Sequence, residues 1–200
     1  MNEIAARTYP RTVRLGQDDV ELRFMRAGDE AAVLVFAREL PPHDLLFLPR
    51  DITHPKVLEA WVHELEGGSL ESLLALREGK VVGCATIVRD PLSWSPHVAE
   101  VRVVVGDDSR GQGVGRALMR DAYALALALG AEKIVAQMTA DQTAAIAAFE
   151  SMGFRAEALL RDHVKDREGK KWDIAVLGHD VADERIRADV YGLSEAFAGE

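Results

Sequence analysis

Cysteine is nearly absent from this 200-residue chain, and the one present, Cys84, cannot close an internal disulfide. That excludes a disulfide-stapled secreted domain and suits a reducing compartment. No apolar run approaches the length of a bilayer span, and the opening residues MNEIAARTYPRT lack the apolar core of a signal peptide. A cytoplasmic protein with no membrane partner is expected. Lysine and arginine form no block and are outnumbered 24 to 33 by acidic residues, for a net charge of -9, which argues against nucleic-acid binding. The six histidines have neither HExxH nor paired Cys/His spacing, so no metal site is expected. The acidic balance would attract a cationic amine, although solubility alone accounts for it.

What is present is dominated by Arg110-Gly111-Gln112-Gly113-Val114-Gly115-Arg116. The run VAEVRVVV from Val98 to Val105 reads as a largely buried strand entering it. Val114, Leu118, Ala122, Leu125 and Leu129 recur at helical spacing after it, and Gly130 supplies the stop. The glycines therefore sit at a helix N-terminus, where unpaired N–H groups and the positive end of the helix dipole favour an anion. Lacking Cβ atoms, they let a diphosphate approach the main chain, and Arg110 and Arg116 add charged donors. A dinucleotide fingerprint fails, because Arg116 or Leu118 stands where the third glycine belongs. A Walker loop fails for want of Gly-Lys-Ser/Thr.

The pattern that remains, Arg/Gln-x-x-Gly-x-Gly, is filled by Arg110, Gly113 and Gly115, and Phe149-Glu150-Ser151-Met152-Gly153-Phe154 follows at the distance of a Tyr-Glu-Lys-x-Gly-Phe segment. With both, the chain resembles the GCN5-related N-acetyltransferase (GNAT) superfamily over roughly residues 20 to 180. In overall size it is similar to the amino-acid and phosphinothricin-type members. The resemblance implies a single-domain α/β fold, a mixed and mostly antiparallel sheet with helices on both faces. It implies acetyl-CoA as cosubstrate and acetyl transfer to a primary amine, on a small molecule or a protein, by direct attack in a ternary complex. A non-catalytic acyl-CoA-binding sensor is the alternative.

The elements expected are a strand from Val20 to Met25, a helix opened by Gly28-Asp29 and stopped by Pro41-Pro42, and a second helix over 54–66. A hairpin follows, 73–77 and 81–88, around Glu78-Gly79-Lys80. The strand at 133–138, a helix over about 141–152 and strands near 154–160 and 171–178 complete the order. Residues 1–19 are read as an extension or edge segment, 20–181 as the domain, and 182–200 as a tail with enough apolar residues for a short helix on the domain or in a homodimer.

By the resemblance, Val103, Val104 and Val105 line the pantetheine arm through their main chain, and Gly111, Gln112, Gly113, Val114, Gly115 and Arg116 take the diphosphate. Gln142, seven residues before Phe149, stands where the family often has an arm-binding asparagine. Phe149 replaces the tyrosine that many relatives use to protonate the leaving thiolate, and Tyr123 is a distant substitute. Glu100 is the candidate base, or else the partner of Arg102 two residues along the same strand face. His97 and His163 are lesser candidates. The run Leu45 to Leu48, with Phe47, either lines the acceptor site or packs as a loop, and Trp94 either meets a ligand or is buried in a loop cluster. Cys84 is read as a buried core residue rather than a nucleophile.

Overall fold

The computed structural model describes residues 7–68 and 70–181. Its strands are β1 (Arg11–Leu15), β2 (Asp18–Phe24), β3 (Leu70–Arg77), β4 (Lys80–Val88), β5 (Val98–Val105), β6 (Lys133–Thr139), β7 (Arg155–Lys165) and β8 (Lys171–Asp180). The helices are α1 (Glu30–Glu39), α2 (Pro55–Glu66), α3 (Val114–Ala128) and α4 (Thr143–Glu150). The strands form one sheet in the order β1-β2-β3-β4-β5-β6-β8-β7. Every neighbouring pair is antiparallel except β5 and β6, which are parallel and joined through α3. A parallel pair needs such a crossover because its strands start at the same end.

Local chemistry explains the boundaries. Leu40 is extended because Pro41 follows it, and α1 ends at Glu39. Glu78 and Gly79 both adopt left-handed φ, +51° and +78°, giving the tight turn that matches the twist of a β3–β4 hairpin. β5 occupies the span expected for it, 98–105. Alternation along it then divides the protein. Ala99 and Val101 face a core with Val114, Leu118 and Ala122 of α3 and Phe149 of α4. Val104 faces a second core with Phe36 of α1 and Leu58, Trp61 and Val62 of α2. The helices thus cover both faces.

Among residues 7–19, the part of the extension or edge segment that is described, β1 lies at the edge of the sheet and pairs with β2 along its whole length. Asp121 of α3, with no solvent exposure, receives Tyr9 Oη at 3.0 Å, Arg11 Nε at 2.8 Å and the Arg7 guanidinium. This segment is fastened to the domain's own core helix. The tail helix expected beyond residue 181 lies outside the described residues.

Candidate active site

The site begins where β5 leaves β6. Their ladder has three pairs, Val98 with Lys133, Ala99 with Ile134 and Glu100 with Val135, whereas β4 stays paired with β5 from Glu100 to Val105. The Gly106 amide donates to the Val82 carbonyl at 3.0 Å, and this fixes the phase of the β4–β5 ladder. Even-numbered residues of β5 turn their main-chain groups to β4, and Val101, Val103 and Val105 turn theirs to the other side. The Val135 carbonyl takes the Val101 N–H in the last rung, and beyond it no strand among the described residues meets them there. Of the three valines anticipated, Val103 therefore presents free ladder groups and Val105 its N–H, its carbonyl accepting from Arg110, whereas Val104 spends its own on β4 and buries its side chain.

This open edge ends at the N-terminus of α3. Gly111 (φ +71°) and Gly113 (φ +92°) hold left-handed conformations that side chains disfavour, and no side chain caps the helix. The first-turn N–H groups therefore remain available to an anion. At Gly115 an added Cβ would meet Val105 Cγ2 at 3.3 Å, so glycine allows helix and strand to approach closely. Gln112 has its amide engaged, accepting from Arg77 Nη2 at 2.6 Å and donating to the Asp108 carbonyl at 2.7 Å, which leaves its backbone as the contribution to the cradle. Arg110 lies across the mouth, donating to the Val105 carbonyl at 3.3 Å and pairing with Asp44 at 2.5 Å. Arg116 and Arg120, one helical turn apart, border a hollow with Tyr123 and Met152. Arg120 escaped the sequence reading, although its spacing from Arg116 was a signal for it.

On the opposite face of the sheet lies a pocket of about 240 Å³. Leu48, Ile52, Trp61, Leu70 and Val104 supply apolar walls, Cys84 is part of its lining, and Arg50, Glu64, Thr86 and Arg102 supply polar groups. The early loop does line a pocket, through Leu48, Pro49, Arg50 and Ile52, whereas Phe47 packs against the α1–α2 core. Arg50 pairs with Glu64 at 2.8 Å. Trp61 Nε1 donates to Ser72 Oγ at 2.9 Å, and Ser72 Oγ lies 3.1 Å from Thr86 Oγ1. Burial pushes the Cys84 thiol up to about 12, so it is neutral at physiological pH and a poor nucleophile, as expected of a core cysteine.

Glu100 and Arg102 share the pocket face of β5 and form a two-pronged pair, Nε to Oε1 and Nη2 to Oε2, both 2.8 Å. The ion-pair alternative is thus realised in geometry. Phe149 is buried with its ring edge-on to Phe154 at 5.1 Å and brings no proton donor. Tyr123 Oη meets His179 Nε2 at 2.8 Å. Gln142 stands just before α4, its backbone held by the Thr139 carbonyl at 2.9 Å. His97 and His163 are exposed, and neither lines the pocket. Trp94 is not buried in a loop cluster, since it stands 102% exposed beside Leu92 at 95%. The loop Asp90 to Ser95 is held by its own turn hydrogen bonds and gives the indole nothing to pack on.

His43 is a residue that sequence reasoning missed. From the turn Pro42–Leu45 it reaches Asp141 Oδ2 at 2.9 Å, lies 3.4 Å from Thr139 Oγ1, and packs on Trp172 with ring centres 4.3 Å apart. Its neighbour Asp44 holds Arg110 on the other lip. One turn therefore spans the gap between β5 and β6. No local pattern signals contacts about a hundred residues apart.

A model of the acetyltransferase (GNAT) family matches residues 36–154, and the chain belongs to that family. A Bacillus subtilis (strain 168) protein, YwnH, named as a candidate phosphinothricin acetyltransferase, is 31% identical over 84 residues, 42% of this chain. The match spans about half, 51%, of that relative's length. Among solved structures, the ribosomal-protein-alanine N-acetyltransferase of Brucella melitensis superposes with a TM-score of 0.71 at 24% identity, over 80% of this chain and 98% of that one. A phosphinothricin acetyltransferase of Sinorhizobium meliloti in complex with acetyl-CoA gives 0.68 at 20% identity, over 80% and 88%. At these identities the likeness speaks for the fold. Among the described residues, no helix is long and apolar enough to cross a membrane.

Proposed function

We propose that this protein is an acetyl-CoA-dependent N-acetyltransferase that moves an acetyl group to a primary amine by direct attack in a ternary complex. One observation carries the reading: a continuous path runs from the uncapped N-terminus of α3, along the partnerless edge of β5, to strand residues whose other face forms the floor of a pocket. The residues present fit acetyl-CoA. Main-chain N–H groups from Gly111 to Arg116 suit a diphosphate, and Val103 and Val105 offer ladder groups to an amide-bearing arm. The matched Bacillus subtilis protein is named for phosphinothricin, an amine-bearing acceptor, which supports that class of acceptor.

Acetyl-CoA supplies a thioester, an activated acyl group whose carbon accepts the amine as the carbon–sulfur bond breaks. The Val103 N–H, the first outward donor of β5 beyond its last rung with β6, is the one placed to stabilise the oxyanion that develops on the carbonyl. Glu100 takes the proton that the nitrogen must lose. Each of its oxygens accepts one hydrogen bond from Arg102 and keeps another lone pair. A base is useful because about one amine in a few thousand is neutral at pH 7 when its pKa is near 10.4. Phe149 offers nothing to the departing thiolate, but a thiol pKa near 8.5 makes water a sufficient proton source. The neutral thiol of Cys84 speaks against an acyl-enzyme route.

The test is titration calorimetry with CoA and acetyl-CoA, followed by thiol release against a mixed pool of amines. Binding with amine-dependent release is expected. Tight binding without release across the pool would favour the sensor reading, for which Phe149 is the best support. No binding would overturn the cradle.

A further inference from the structure

Three features of the pocket point to one kind of acceptor. The first is a chain of hydroxyls. Trp61 Nε1 can only donate, so Ser72 Oγ accepts from it at 2.9 Å. Ser72 has no solvent exposure, and among the described residues its hydroxyl hydrogen has one partner within reach, Thr86 Oγ1 at 3.1 Å. Were Thr86 the donor of that bond, a buried hydrogen on Ser72 would be left unpaired, at a cost of about 1–3 kcal/mol. Ser72 therefore donates to Thr86, and the hydroxyl hydrogen of Thr86, a residue 6% exposed and lining the pocket, is left to point into it.

Register supplies the second feature. Thr86 of β4 pairs directly with Arg102 of β5, and both line the pocket. Cross-strand partners on one face lie about 5 Å apart at Cβ. Arg102 spends Nε and one N–H of Nη2 on Glu100, which leaves the second Nη2 hydrogen and both Nη1 hydrogens free to donate. The third feature is charge. The lining holds two guanidinium groups, Arg50 and Arg102, against one carboxylate, Glu64, inside a chain whose net charge is -9. A purely cationic amine finds no matching wall there, whereas a zwitterion does.

Resting on the acetyltransferase reading above, we propose that Thr86 and Arg102 form an anion subsite in the acceptor pocket, and that the acceptor is a small amine bearing a carboxylate next to an apolar body. The carboxylate receives the Thr86 hydroxyl and the spare Arg102 donors. The apolar body lies against Leu48, Ile52 and Trp61. A volume of about 240 Å³ is below the range of drug-sized sites and suits a molecule the size of an amino acid. Because Arg102 holds Glu100 and the carboxylate together, the amine is delivered beside the proposed base.

Matched acceptors test this: L-leucine against 3-methylbutylamine, and L-methionine against 3-(methylthio)propylamine, each followed by thiol release. The amino acid of each pair is expected to have a kcat/KM at least about tenfold higher, the weight of one hydrogen bond to a charged group. Thr86→Val should collapse that ratio through KM, and Thr86→Ser, which keeps the hydroxyl, should retain it. Equal use of both members, or a ratio unmoved by Thr86→Val, would overturn the subsite. If none of the four turns over, calorimetry with 4-methylpentanoate, which lacks the amine, decides. Binding that weakens in both Thr86→Val and Arg102→Met supports the proposal, and no binding overturns it. Calorimetry with CoA on the same samples reads the cradle separately, so failure of the subsite and failure of the transferase reading are distinguished.

Discussion

At the scale of single residues, Glu100 and Arg102 were legible because a period of two puts them on one strand face. Their bonding was within reach of the sequence, and so was the dual reading of Glu100. Glu100→Gln keeps the shape and removes the base, so acetyl transfer at neutral pH should fall by about a hundredfold or more while CoA affinity holds. An unchanged rate would remove Glu100 from that role. Asp51 was not legible. It caps its own loop through the Thr53 amide and hydroxyl, and it meets Arg167, far along the chain, at 2.8 Å. Burial raises its carboxyl, but the hydrogen bonds from Thr53 and Arg167 outweigh this and bring it from 3.8 to about 2. A carboxyl lowered by folding stabilises the fold above its unfolded value, and that contribution fades as pH falls from about 4 toward 2. Asp51→Asn should therefore cost about 1 kcal/mol at pH 7, allowing for solvent screening at this part-exposed pair, and the difference from the parent in urea melts should narrow as pH falls below about 4 and close near about 2.

At the scale of elements, periodicity located the strands and helices, and turn chemistry located their ends. β5 could be read because eight mostly β-branched residues are bounded by polar turns. Its separation from β6 could not, since the length of a ladder depends on a partner 30 or more residues away. β1 was legible only as an extension or edge segment, because the alternation of this short strand is masked by charged residues. The cradle was the clearest element of all, because left-handed φ leaves glycine as the natural choice. Gly113→Ala places a side chain at φ +92° with Leu15 Cδ2 only 3.5 Å away. The strain should lower stability by about 1–2 kcal/mol in thermal melts, and the displaced loop should weaken CoA binding in calorimetry.

At the scale of the whole molecule, the sheet is two unequal blocks, β1 to β5 and β6 with β8 and β7, sharing three rungs at 98–100. The bridging turn at His43 and Asp44, the Asp51–Arg167 pair and the packing of α3 add further ties. A bound pantetheine would act as a splice, adding ladder bonds where the chain itself provides none. Hydrogen exchange should record it. Without ligand, amides of the smaller block should exchange through openings that spare β3 and β4. With CoA the two blocks should converge on one protection level, rising by about 2.7 kcal/mol at a hundredfold excess over Kd. Equal protection of both blocks before ligand arrives would mean that the three rungs already suffice, and that the substrate enters a sheet which was mechanically whole without it.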